Sequence, residues 1–176
     1  MAHARIVLVD DEEGVLNALR RLLRRAGYLV DTFSDGPSAL AHMQVNPHHA
    51  VISDYKMPQM NGVEFLCEVK ARFPAVTRMI LSGEAERDAV LSSINVAEIS
   101  RFLTKPWNDA ELLKSVATAV EETVRNVEKS VALDEYKTRV DAHYRRSKAL
   151  EALESESPGI TAVNWSDDGT IVLEDS

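Results

Sequence analysis

The chain is short of several things, and each shortage excludes something. It has one cysteine, Cys67, so no intramolecular disulfide framework can hold it together, which fits a reducing compartment. No apolar stretch approaches the roughly 20 residues of a membrane span. The short run Ile6–Val9 passes directly into acids, unlike the apolar core of a signal peptide. A soluble cytoplasmic protein with no membrane partner is therefore expected. Basic excess is missing too: 20 Lys and Arg face 28 Asp and Glu, a formal net charge of −8. That balance argues against direct DNA binding and against an anionic membrane as the main partner. The final segment from Glu151 sharpens the bias, with seven acids and no Lys or Arg. There is no internal repeat, no glycine-rich nucleotide loop and no helix-turn-helix pattern. Proline and glycine are absent altogether between Asn108 and Glu156.

Of the 176 residues, 45% are hydrophobic, enough for a proper core. The length suits one domain of roughly 100–150 residues and an extension. Apolar runs of strand length alternate with segments of helical period. ARIVLV precedes a helix with the stripe Val15, Leu16, Leu19, Leu22 and Leu23, and YLVDTF precedes GPSALAHMQ. HAVISD precedes GVEFLCEVKARF, VTRMILS precedes EAERDAVLSSINV, and ISRFLT precedes a helix opening near Asn108. Five such units predict an α/β fold, a five-stranded parallel sheet with helices on both faces. Runs as continuous as IVLV and MIL suit central strands buried on both sides.

The last helix has no breaker until ESPG and could extend roughly 70 Å at 1.5 Å per residue. Leu113, Val116, Val120, Val124, Val127 and Val131 keep a three–four spacing. The phase slips near Ala132–Asp134 and resumes with Tyr136, Val140, His143, Ser147 and Leu150. The closing ITAVNWSDDGTIVLED reads as two β-prone runs about a turn, a hairpin. The expected division is a domain over 1–122, a coiled-coil-like helical extension over 123–156 and an acidic hairpin over 157–176. The valine stripe continues past the point where the domain can cover it, so a homodimer is expected.

In an open parallel sheet, function gathers beyond the carboxyl ends of the strands. Strand one delivers Asp10 and Asp11, strand three Asp54, strand four Ser82 and strand five Lys105. Three carboxylates on one rim call for a cation, and all-oxygen donors favour Mg²⁺, which bridges to phosphate. A lysine and a hydroxyl opposite supply donors for an anionic oxygen, so the rim reads as a phosphoryl site.

These residues stand in the pattern of a known family. An acidic pair follows strand one, DYKMPQMNG runs from Asp54 to Gly62, Ser82 follows strand four, and Lys105-Pro106 follows strand five. In this, residues 4–120 resemble the receiver domain of two-component response regulators. The resemblance implies a flavodoxin-like fold, with Asp54 accepting a phosphoryl group from a histidine kinase or histidine phosphotransfer protein. It implies Mg²⁺ on Asp11, Asp54 and the backbone carbonyl of Lys56, with Asp10 acting largely through water. Lys105 and Ser82 would hold phosphoryl oxygens, and Ser82 and Phe102 would form a switch, steric here because Phe102 lacks a tyrosine hydroxyl. Lys105–Pro106 is expected to be cis. Lys56 and Glu84 would close over the phosphoryl group and lengthen its lifetime.

The chain is thus expected to be a phosphoacceptor, not an enzyme acting on other substrates, although it assists its own phosphorylation and dephosphorylation. It would relay its state to a protein effector or through dimerisation. The alternative is the front end of a longer enzyme whose output domain lies outside this chain. A haloacid-type hydrolase fails, because that chemistry wants an aspartate at position 56, which is lysine. Arg20, Arg21, Arg24 and Arg25 suit either partner docking or a solvated face, and Trp107 reads as packing. The histidines, including His48 and His49, lack partners at metal-ligand spacing and read as ordinary residues.

Overall fold

A computed structural model of the protein describes residues 4–83 and 97–158. The expected fourth helix, Glu84 and the expected C-terminal hairpin fall outside the described residues. The elements run β1 (Arg5–Val9), α1 (Glu13–Arg25), β2 (Leu29–Phe33), α2 (Gly36–Val45), β3 (Ala50–Asp54), α3 (Gly62–Arg72), β4 (Thr77–Gly83), β5 (Arg101–Lys105) and α4 (Asp109–Glu156). All five strands are parallel, in the order β2-β1-β3-β4-β5. This is the α/β sheet expected from the alternating runs.

The central strands β1, β3 and β4 carry apolar runs because both their faces are covered. Ile6 and Leu8 of β1 pack with Leu19 and Leu23 of α1 and Val116 of α4, while Val7 and Val9 pack with Leu40 of α2 and Phe65 of α3. Each such side chain, removed from water, contributes about 1.5–3 kcal/mol.

The helices start where the chain supplies caps. Asp35 accepts the Ser38 backbone N–H at 2.8 Å ahead of α2. Asn61 and Glu64 form a reciprocal capping box on α3. Asn108 accepts from the Ala110 and Glu111 N–H groups at the start of α4.

The packing of α4 corrects the expected stripe. Its buried positions are Leu112, Val116, Ala119 and Thr123, so the contact face is turned from the one the valines suggest. Leu113 and Val120 are half-buried at its margin, and Val124, Val127 and Val131 are exposed. Thr123 is held by a polar contact: its hydroxyl accepts the Thr77 N–H at 3.0 Å and donates to the His49 carbonyl. By compactness the chain divides into two units that meet between Glu128 and Lys129. No described helix is long and apolar enough to cross a membrane.

Candidate functional site

The strand order reverses at β1, whose neighbours are β2 and β3, and a crevice opens beyond the carboxyl ends at such a point. Asp10 and Asp11 follow β1 and Asp54 ends β3, so adjacent strands bring the three acids together. One carboxylate oxygen from each lies within 4.8 Å of the others. Asp10 and Asp54 are buried, whereas Asp11 is exposed.

Lys105 reaches in from the end of β5. Its Nζ is 2.8 Å from Asp10 Oδ2, 2.7 Å from Asp54 Oδ1 and 3.7 Å from Glu12 Oε1. The Lys105–Pro106 peptide is cis, as expected. The second oxygen of Asp54 accepts the Lys56 backbone N–H at 2.9 Å, and Asp10 Oδ1 accepts the Glu12 N–H at 2.8 Å. An open cleft lined by Asp11, Glu12, Asp54, Lys56, Gly83 and Lys105 leads to this group.

Burial raises the Asp54 carboxyl above its ordinary pKa; Lys105 and the Lys56 N–H pull it down, Asp10 pushes it up, and the net shift is upward. Burial opposes the charge on Lys105, yet its bonds to Asp10 and Asp54 prevail and hold its pKa above the ordinary value. One ammonium therefore serves the buried Asp10 and Asp54 and reaches toward the exposed Glu12, which leaves the rim net negative. Such an all-oxygen, net-negative set fits a hard divalent cation.

Gly62 shapes the loop beneath Asp54. A Cβ there would stand 2.0 Å from the Asp54 carbonyl oxygen, and the Gly62 N–H donates to Tyr55 O at 2.9 Å. Only a residue without a side chain lets α3 start this close to the acceptor strand. Ser82 is buried one position beyond the Leu81–Asp54 register pair and donates to Gly83 O at 3.2 Å. Phe102 pairs with Ile80 in the β4–β5 ladder and packs against the core beneath α2 and α3. The Lys56 side chain is exposed. Trp107 packs on the opposite core, as expected.

The family model of the response regulator receiver domain matches residues 6–117. The chain belongs to this family. The hydrogenase transcriptional regulatory protein HoxA of Cupriavidus necator is 36% identical over 118 residues, covering 67% of this chain and 24% of that protein. The chain thus spans about a quarter of the length of that relative. Among solved structures, the signal receiver domain of an HD domain-containing protein from Pseudomonas fluorescens is 33% identical with a TM-score of 0.69, covering 73% of this chain and 94% of that one. The chemotaxis protein CheY4 of Vibrio cholerae is 29% identical with a TM-score of 0.63, covering 67% and 99%.

Proposed function

We propose that this receiver domain takes a phosphoryl group on Asp54 from the phosphohistidine of a kinase or phosphotransfer protein and signals through protein contacts. The observation that carries the reading is the Asp54 carboxylate, buried at the crevice with one oxygen on Lys105 and the other on the Lys56 N–H. A carboxylate oxygen of Asp54 attacks phosphorus, the phosphorus–nitrogen bond breaks, and the donor histidine, already protonated on its other ring nitrogen, leaves as neutral imidazole. Lys105 moves from the carboxylate to a phosphoryl oxygen, where its charge is worth more as the transferring group spreads its own. Ser82 donates to another phosphoryl oxygen and draws Phe102 inward. Hydrolysis reverses the bond: water attacks phosphorus and Asp54 is restored as a carboxylate.

Mg²⁺ held by Asp10, Asp11, Asp54 and the Lys56 carbonyl would supply charge neutralisation to the carboxylates and the incoming phosphoryl oxygens. The chain acts on no substrate other than its own phosphoryl group, and it works in the cytoplasm, where its donors reside. Incubation with acetyl phosphate and Mg²⁺ should load one phosphoryl group on the full chain and none on Asp54→Asn. Equal loading of the variant would reject the assignment.

The route of output rests on α4. Val124, Val127, Val131, Tyr136, Val140 and Tyr144 are 43–61% exposed, a large apolar content for a solvated helix. A parallel dimer through this stretch would cover it. Light scattering should give a dimer for the full chain and a monomer after truncation following Glu128, a cut that retains Thr123. A full-length monomer at tens of micromolar, phosphorylated or not, would exclude it. A second reading is a receiver at the front of a longer protein. It is favoured by HoxA, about three-quarters of which lies outside the match, and by the receiver domain of an HD domain-containing protein.

A further inference from the structure

Apart from the acidic rim, one other group of ligand-bearing side chains converges among the described residues. Asp31 from the middle of β2, His42 from the last turn of α2 and His48 from the loop before β3 bring one ligand atom each within 4.8 Å of the others. Asp31 Oδ2 is 3.1 Å from His48 Nε2 and 3.4 Å from His42 Nε2. The geometry points to a second metal site here, taking a divalent transition ion of the Zn²⁺ type on Asp31, His42 and His48.

Four observations carry it. Ligands about 2.0–2.1 Å from a tetrahedral ion lie roughly 3.3 Å apart, and both measured separations fall close to that. His42 Nε2 is buried and hydrogen-bonded to nothing although it faces the Asp31 oxygen that His48 Nε2 bonds at 3.1 Å. A buried nitrogen beside a carboxylate with no bond between them is costly, and a cation between the two removes the cost. The His48 side chain is wholly enclosed. Ring contacts fix the orientation, with Phe33 and His42 centroids 5.1 Å apart and His42 and His48 centroids 5.5 Å apart.

Arg5 opposes a cation, since its Nη1 is 3.6 Å from the same Asp31 oxygen. It also lies 3.4 Å from Asn46 Oδ1, which gives it an alternative partner when an ion takes its place. Two imidazoles and one carboxylate suit Zn²⁺ rather than Mg²⁺, and the partly exposed Asp31 and His42 leave a fourth position for water. Bound there, the ion ties β2, α2 and the loop into β3 together.

The test titrates the full chain with Co²⁺ as a spectroscopic stand-in for Zn²⁺, with Mg²⁺ in excess to occupy the acidic rim. One equivalent should bind with the intense visible absorption of a tetrahedral ion and be displaced by Zn²⁺. Loss of a ligand should weaken it by at least the roughly tenfold that loss of an outer-shell partner causes, both in His42→Gln and in Asp31→Asn, while Asp54→Asn leaves it unchanged. His42 is partly exposed, so its variant should keep the wild-type circular dichroism. Independently of any variant, Zn²⁺ should shift the nitrogen resonances of His42 and His48 in the wild-type protein. Histidine resonances that do not move, Co²⁺ bound as tightly by a folded His42→Gln, or binding lost in Asp54→Asn would each overturn the site and leave a packing cluster only.

Discussion

The sheet carries two clusters in which acids and bases meet, and their proportions are opposite. At the carboxyl rim three carboxylates gather, two of them on the ammonium of Lys105, and burial pushes the Asp54 carboxyl upward. At the β2 edge a single carboxylate, Asp31, faces a guanidinium and two imidazoles. The rim has unspent negative charge and asks for a hard cation and a phosphoryl group. The edge has a buried imidazole nitrogen, His42 Nε2, without a hydrogen bond and suits a borderline ion. One sheet thus offers two unlike sites, set by which neighbours the strands and helices bring to each acid.

Removing Lys105 should have the largest effect on this contrast. Lys105→Ala should slow phosphorylation from acetyl phosphate by about 100-fold, the scale of losing one preorganised charge at a transferring group. Without Mg²⁺, the Asp54 carboxyl of the wild-type protein should titrate above the ordinary carboxylate range. It therefore takes up its proton sooner as pH falls from neutral. Lys105→Ala removes a contribution that lowers this pKa, so the titration should move further upward by carboxyl NMR. Movement downward would contradict the charge balance described for the rim.

Gly62→Ala comes next. The added Cβ meets the Asp54 carbonyl, so the loop must shift, at about 1–3 kcal/mol of stability. Denaturant unfolding should show the loss, and slower phosphorylation should accompany it, while Co²⁺ binding at the β2 edge stays as it was. Thr123→Val should cost about 1 kcal/mol, because the buried Thr77 hydroxyl loses its Thr123 partner while the Thr77 N–H and the His49 carbonyl keep each other. The smallest effect is expected of Lys56→Ala, a modest shortening of the phosphoryl lifetime, since charges this exposed are worth little. An unchanged decay would remove Lys56 from that role.

The strands and the rim were legible because β1, β3 and β4 carry continuous apolar runs and β1, β3, β4 and β5 each lead into a rim residue. Asp10, Asp54 and Lys105 need only the parallel order to meet. The covered face of α4 was not legible, because two of its buried positions are Ala119 and Thr123. Neither stands out as apolar, and Thr123 is buried only because Thr77 and His49 satisfy its hydroxyl. The valines beyond it, expected to run past the domain's cover, drew the stripe onto a neighbouring face of the helix. Asp31, His42 and His48 were invisible as a group: they come from a strand, a helix and a loop, with no spacing that links them. Gly62 was present in the motif, yet only the 2.0 Å approach to the Asp54 carbonyl explains why it is glycine.

The central claim is that the phosphoryl group resides on Asp54. Borohydride reduces an aspartyl phosphate to homoserine, which peptide mass spectrometry locates. After treatment of the full chain with acetyl phosphate and Mg²⁺, homoserine should be found at position 54 and at no other acid of the rim. Homoserine at position 10 or 11, or none anywhere in a chain shown to be folded, would contradict the account.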